Sequence, residues 1–326
     1  MNAKIDSIGV YVPDNKIDNT YFEKILDTSH EWISSRTGIN TRYFASENEY
    51  TSDLSMKAIE NLVNNYDKDL SDVDFIIVAT STPDQIMPST ASQIQYRLGI
   101  KNAGCLDLSA ACAGFTYGII LAKGLIATSA YKKILVVGAE TLSKVCDYTD
   151  RTTCILFGDG AGAVLVEASE SNHLYKPLTA TDGAYGKDLY LSQQAAPISG
   201  EIVDSNGKVH QTGRVVFKWA VSTLTQKLQE LTTLNNTSFD ALDWLIPHSA
   251  NIRILEAVCN NLDIPTDKCL ESVRNFGNTS AASIPLAWHS GIESGKIKLN
   301  DDLLLAGFGG GLTFSGICLN NQIEKK

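Results

Sequence analysis

The chain has 326 residues, 44% of them hydrophobic and 20% charged, the balance of a folded protein with a large core and two domains or two fused halves. A formal net charge of −10 without basic runs argues against a general nucleic-acid binder and leaves any anionic substrate to be met by local Arg and Lys. The seven cysteines form no C-x-x-C pair or metal-type cluster, and the start MNAKIDSIGVYVPDN enters strand and turn without an apolar signal segment, so free thiols in a reducing, cytoplasmic compartment are expected.

Lys4 to Val12 alternates and predicts a strand, stopped by Pro13 and Asn15. Thr28 to Ile39 predicts a capped helical turn running into Gly38. Its Trp32 and Arg36 lie four apart on one face, a stacking platform for a purine beside a phosphate, or else ordinary core next to a solvated charge. Ser52 to Tyr66 predicts an amphipathic helix, Asp74 to Thr80 a buried strand, Pro83 to Ser89 a loop and Ser92 to Leu98 a helix.

The stretch from Cys105 to Ala127 organises the rest. A short strand, Leu106 to Leu108, passes through small residues into a run of helix length that is apolar all round, which predicts a buried helix. Lys123 interrupts it too much for a membrane span. Ser109 as N-cap would put Cys112 in the first turn, beside unpaired backbone N–H groups and the positive end of the helix dipole. There a thiol has a lowered pKa, and the same N–H groups can hold an oxyanion. The plain alternative is that Cys112 is one more small buried hydrophobe.

Lys133 to Ala139 predicts a second buried strand, and Phe157 to Glu167 a Gly-rich turn feeding a third. Those glycines lack a P-loop Lys and open no helix, so they predict close strand packing rather than phosphate binding. Glu167 to Lys176 is the candidate linker, and the long irregular stretch Thr181 to Val215 is of the kind that carries function. Val216 to Leu234 predicts an amphipathic helix, Asp243 to Pro247 a strand ending at His248, and Asn251 to Leu262 a helix. Ser272 to Phe276 is expected as a strand leading to Asn278 and a helix of small residues. Asp302 to Ala306 predicts a strand, followed by GFGGGLT and a last strand.

These elements repeat: Asp74 and Asp243 open matching strands 169 residues apart, as do Ile134 and Leu303. The division expected is an N-terminal half, 1–171, with the nucleophile, and a C-terminal half, 172–326, with His and Asn. Each half reads β–α–β–α–β–β, and two mostly parallel sheets covered by helices would pack with pseudo-two-fold symmetry. That places Cys112, His248 and Asn278 at strand ends that meet in one cleft. A thiolate with two neutral donors and nearby backbone N–H groups suits acyl transfer. Taken singly, His248 reads as a satisfied structural histidine and Asn278 as a helix cap.

The set TSHEWISSRTGI, DLSAACAGF, FGDGAGAV, IPHSANIRI, FGNTSAASIP and GFGGGLT, in this order, resembles the β-ketoacyl-acyl-carrier-protein synthase III family, from about Gly9 to Thr313. The resemblance implies a thiolase-like α/β fold, its two halves packed as α-β-α-β-α layers. It implies an acyltransferase that starts fatty acid synthesis. A short acyl-CoA acylates Cys112; malonyl-acyl-carrier protein then loses CO₂, with His248 and Asn278 holding the enolate oxygen; the carbanion attacks the acyl thioester to give a 3-oxoacyl-carrier protein. It further implies an oxyanion hole from the N–H groups of Cys112 and Gly310, and adenine held between Trp32 and Arg151 with Arg36 near a phosphate. Gly213, Phe217 and Asn251 would line the pantetheine tunnel, and Thr28, Leu156 and Phe157 the acyl pocket or its mouth. Met87 would reach the pocket floor of the other subunit in a homodimer, leaving room for small branched or straight acyl groups. Lys218 and Arg253 would meet the acidic carrier protein. No metal, organic cofactor, nucleic acid or membrane is implied.

The chain departs from the family pattern at Ser249, where Gln is usual, at Asn260 and Asn261, where several members have Lys, and at Phe314, where Trp is common. A specialised relative with the same triad, which primes a polyketide or other secondary pathway or passes the acyl group to an oxygen or nitrogen nucleophile, is the alternative, and malonyl-dependent CO₂ release is the observation that separates it. A cysteine hydrolase would show fast deacylation, and a non-catalytic subunit would be expected to lack the nucleophile.

Overall fold

The computed structural model describes residues 1–192, 194 and 196–325. The first half runs β1 (Asn2–Tyr11), β2 (Asn15–Asp18), α1 (Asn19–Glu23), α2 (His30–Thr37), β3 (Thr41–Phe44), α3 (Thr51–Tyr66), β4 (Phe75–Ala79), α4 (Thr90–Leu98), β5 (Gly104–Leu108), α5 (Gly114–Ala127), β6 (Lys133–Glu140) and β7 (Gly160–Ser169). The second runs β8 (Leu174–Thr181), β9 (Leu189–Leu191), β10 (Val209–Gln211), α6 (Gly213–Leu234), β11 (Trp244–Pro247), α7 (Ile252–Asn261), α8 (Val273–Phe276), α9 (Ser283–Glu293), β12 (Asp302–Gly309) and β13 (Thr313–Asn320). Local chemistry sets many of the ends. Ser29 accepts from Trp32 N–H to start α2, and Gly38 closes it in the left-handed region. Ser89 and Gly99 bound α4 in the same way.

One sheet has the order β1-β7-β6-β4-β5 and the other β11-β12-β13-β8. The strands β4, β6, β7 and β1 thus have counterparts in β11, β12, β13 and β8. The place of β5 is taken in the second sheet by one parallel bridge, Leu245 with Cys269, where Leu270 N–H donates to Leu245 O at 2.9 Å. The sheets are mixed rather than mostly parallel: β4 pairs in parallel with β5 and β6, whereas β7 is antiparallel to both neighbours. In the second sheet β12 returns as β13 through a short turn, and a short turn only joins antiparallel strands.

Helices α5 and α9 lie between the sheets, where Phe115, Ile119 and Trp288 share a core with Ile77, Val136, Ile246 and Leu305. Leu54, Ile59 and Ile94 of α3 and α4 cover the outer face of the first sheet, and Leu224, Leu228 and Val258 of α6 and α7 cover the second. The result is five layers, α-β-α-β-α. From its middle onward α5 departs from the expected all-round burial, with Leu121 40% exposed. Two other expectations are corrected. The linker 167–176 is mostly strand, leaving only 170–173 between β7 and β8. The stretch 272–276 is the short helix α8, not a strand. Within 181–215, the residues 183–188 form a 3₁₀ turn, β9 pairs with β10 in antiparallel fashion, and α6 begins at Gly213. In β7, Gly162 does serve close packing: a Cβ there would fall 2.4 Å from Pro285.

Candidate active site

Cys112 sits in a 3₁₀ turn, Ala111–Ala113, that joins β5 to α5. Ala111 enters it at φ 46°, and Ser280, 169 residues later, enters the matching turn before α9 at φ 49°. The expected Ser109 cap is absent: Ala110 holds the cap position and no side chain caps the turn. The thiol also differs from expectation. It is 8% exposed, and burial pushes it up to about 12, with a hydrogen bond to Ser280 pulling the other way. Desolvation in a dry wall outweighs the turn's N–H groups. The strand end of β12 lies against the same atoms. A Cβ on Gly309 would fall 2.8 Å from Cys112 N and 3.2 Å from its Sγ, so only Gly permits this approach.

His248 follows β11, with its N–H on Ala306 O at 2.8 Å and its ring edge-on to Phe308, centroids 5.0 Å apart. Its Nδ1 lies 2.6 Å from Ser283 Oγ, which already accepts from Ser249 N–H at 3.3 Å. The Ser283 hydroxyl can donate to Nδ1, and in that tautomer the ring proton sits on Nε2. Burial drives the imidazole pKa down to about 3, so the ring is neutral at working pH. Asn278 is fixed by backbone on both sides: its N–H donates to Leu156 O at 2.8 Å and its C=O accepts from Gly158 N–H at 3.1 Å. Its Oδ1 accepts from Ser280 N–H at 2.9 Å, so Nδ2 is the end left to donate.

One cavity of about 670 Å³ is lined by Cys112, His248, Asn278 and Gly310, by Leu156 and Phe157, and by Trp32, Arg36, Gly213, Phe217 and Asn251. Its inner wall is buried, and Arg36 and Phe217 stand at the exposed mouth. Asn251 also caps α7, accepting from Arg253 N–H at 2.9 Å and donating to Arg36 O at 3.2 Å. Arg151 lies outside the lining, its guanidinium 4.9 Å from the Trp32 ring centre and hydrogen-bonded to Asp27 O. Arg36 lies 5.7 Å from the same ring. Thr28 does not line the cavity; its hydroxyl is buried without a hydrogen-bond partner among the described residues. Met87 is 86% exposed and away from the cavity of its own chain. Lys218 and Arg253 are exposed next to the mouth residues Phe217 and Asn251, and neither forms an ion pair among the described residues.

The family model for 3-oxoacyl-[acyl-carrier-protein (ACP)] synthase III matches residues 106–183, and its C-terminal counterpart matches residues 233–320. β-Ketoacyl-[acyl-carrier-protein] synthase III 2 of Staphylococcus epidermidis is 51% identical over 314 residues, covering 96% of each chain. The chain belongs to the β-ketoacyl-[acyl-carrier-protein] synthase III family. It is a condensing acyltransferase, and its condensation initiates fatty acid synthesis. The family's fold recurs in the Thermus thermophilus synthase III structure, with a TM-score of 0.93 at 39% identity over 97% of this chain and 98% of that one. The priming β-ketosynthase of the R1128 polyketide pathway has a TM-score of 0.92 at 28% identity, covering 100% and 97%.

The departures from the family pattern now have places. Ser249 is fully buried, with its Oγ accepting from Ser272 N–H at 3.0 Å, so this change concerns packing behind His248 rather than the surface. Asn260 is exposed, and Asn261 donates to Thr225 Oγ1 at 3.2 Å on α6. Phe314 is fully buried under α6. Sequence reasoning missed Ser283, Ser280 and Phe308 as site residues. The first two stand inside the motif FGNTSAASIP, where Asn278 alone stands out as a polar site residue. It also missed buried Arg42, whose guanidinium donates to Ile155 O at 2.6 Å and braces the wall carrying Leu156 and Phe157.

Proposed function

We propose that Cys112, His248 and Asn278 divide the condensation between them. Cys112 takes an acyl group from a short acyl-CoA, and CoA departs. Malonyl-acyl-carrier protein follows and loses CO₂, while His248 Nε2–H and Asn278 Nδ2 donate to the thioester oxygen where the enolate charge develops. The carbanion attacks the Cys112 thioester, whose oxygen is held by the N–H groups of Cys112 and Gly310, and a 3-oxoacyl-carrier protein leaves. A neutral imidazole suits this role, because it donates a hydrogen bond to the enolate oxygen but is too weak an acid to protonate the carbanion. The thiol and neutral donors supply the chemistry without a cofactor.

The observation that carries this reading is a single cavity with the buried thiol, imidazole and amide in its wall and Trp32 and Arg36 at its mouth. Trp32 and Arg151, which stand 4.9 Å apart and must part to admit it, flank the adenine, Arg36 meets a phosphate, Gly213, Phe217 and Asn251 guide the pantetheine, and Thr28 acts near the mouth. Leu156 and Phe157 wall the acyl group. The exposed apolar pair Ile86 and Met87, 78% and 86% exposed, favours a homodimer in which Met87 closes the other subunit's pocket. Lys218 and Arg253 receive the acidic carrier. The free state of all seven cysteines fits a reducing cytoplasm. The polyketide-priming alternative has only the fold likeness at 28% identity, against 51% for the synthase III relative.

Intact mass after incubation with a panel of short acyl-CoAs tests the reading. One acyl group is expected on the wild type and none on Cys112→Ala, and malonyl-carrier protein should discharge it with release of CO₂. An adduct that appears equally on Cys112→Ala sinks the assignment of the nucleophile.

A further inference from the structure

Behind the cavity wall lies a carboxylate that this mechanism does not use. Glu140, the last residue of β6, is fully buried. Every hydrogen bond it makes is to an uncharged donor: Thr82 Oγ1 at 2.7 Å, Ser280 Oγ at 2.9 Å, Ser81 N–H at 3.1 Å and Thr80 Oγ1 at 3.4 Å. Such donors fit the ionised form, while burial without a cation favours the protonated form. Among the described residues, Cys112, on the turn after β5, is the titratable group that feels its charge, and His248, after β11, lies beyond Ser280, whose backbone its ring hydrogen-bonds. Ser280 and Ser81 both line the cavity that holds Cys112. The Ser280 hydroxyl therefore stands between the thiol and the carboxylate. Its backbone is held in the left-handed region at φ 49°.

The resting thiol needs a base, and His248 is ill suited, because its ring is held neutral by burial and its Nδ1 is engaged by Ser283. We propose that Glu140 accepts the Cys112 proton through the Ser280 hydroxyl and holds it until condensation frees the sulfur again. The S–H bond breaks as an O–H bond forms at Ser280, whose own proton passes to Glu140. The electron pair left on sulfur attacks the acyl-CoA carbonyl, and CoA leaves as a thiolate that takes its proton from solvent. When the 3-oxoacyl product departs, the Cys112 thiolate recovers the stored proton by the reverse path. A neutral Glu140 also spares the enolate a buried negative neighbour. Burial raises the carboxyl to about 7, against the pull of its donors, so both forms are accessible near neutral pH. Ser280 touches the sulfur, and Glu140 acts through it.

The inference rests on Cys112 as the nucleophile. Single-turnover CoA release with one short acyl-CoA, followed from pH 5 to 9, tests it. The wild type should slow as pH falls through about 7. Glu140→Gln keeps the shape and an acceptor oxygen; it should lose about a hundredfold in acylation rate and lose that pH limb, the usual range for general base catalysis. Glu140→Asp should restore the limb at a reduced rate. Ser280→Ala interrupts the path with the carboxylate in place and should also lose the limb, which covers a Glu140→Gln variant that fails to fold. Acylation of Glu140→Gln or Ser280→Ala with the wild-type pH limb overturns the relay, whether or not the rate falls. Wild-type CoA release without a Cys112 adduct instead overturns the nucleophile.

Discussion

Ser283 sets what His248 can do. Its hydroxyl is the partner of Nδ1 at 2.6 Å, and when it donates there the imidazole keeps its proton on Nε2. Ser283→Ala removes that partner and leaves Ser249 N–H without its acceptor. Loss of one buried hydrogen bond costs about 1–3 kcal/mol, roughly ten- to a hundredfold in rate if it is felt in the transition state. The expected outcome is a fall of that size in CO₂ release from malonyl-carrier protein, with Cys112 acylation nearly intact by mass. Equal loss in both half-reactions would mean that Ser283 only supports the packing. None of this is visible along the chain, because His248 and Ser283 are brought together from different elements.

The two strand-to-helix turns are the elements on which the site depends. Each carries a residue with positive φ, Ala111 and Ser280, and each leads into a helix between the sheets. The end of β12 closes on the first of them with Gly309 against Cys112 and Gly307 against Ala113, where a Cβ would fall 2.7 Å from Ala113 Cα. Gly309→Ala forces one of these backbones to move, an overpacking of about 1–3 kcal/mol. It should lower Cys112 acylation at least tenfold while circular dichroism keeps the wild-type helix content. Wild-type acylation would show that the strand end retreats without cost. The GFGGG run in the sequence points to a backbone N–H near the thiol, but the contact of Gly309 itself with Cys112 appears only once β12 is seen to extend through Gly309.

At the scale of the molecule, the acidic chain places exposed Lys218 and Arg253 beside the cavity mouth. Exposed charges act on encounter more than on chemistry, and salt screens them. Lys218→Glu with Arg253→Glu should raise KM for malonyl-carrier protein about tenfold and reduce its dependence on ionic strength, leaving acylation by acyl-CoA unchanged. An unchanged KM would move the docking surface elsewhere.

The pseudo-two-fold repeat was legible from the sequence because continuous apolar strands and helix-period stripes recur 169 residues apart, and burial in five layers demands that pattern. Cys112, His248 and Asn278 were legible as a set because each stands at the edge of such a pattern. Strand direction was not: β7 and β13 are as apolar as parallel strands, and only the pairing shows them antiparallel. Nor was the state of the buried groups. The thiol is expected low and lies high, and Glu140 stands one residue past the expected strand Lys133 to Ala139, with nothing to mark it as buried. Protonation is set by desolvation and by partners distant in sequence, and both exist only after the sheets and the two central helices have closed around the site.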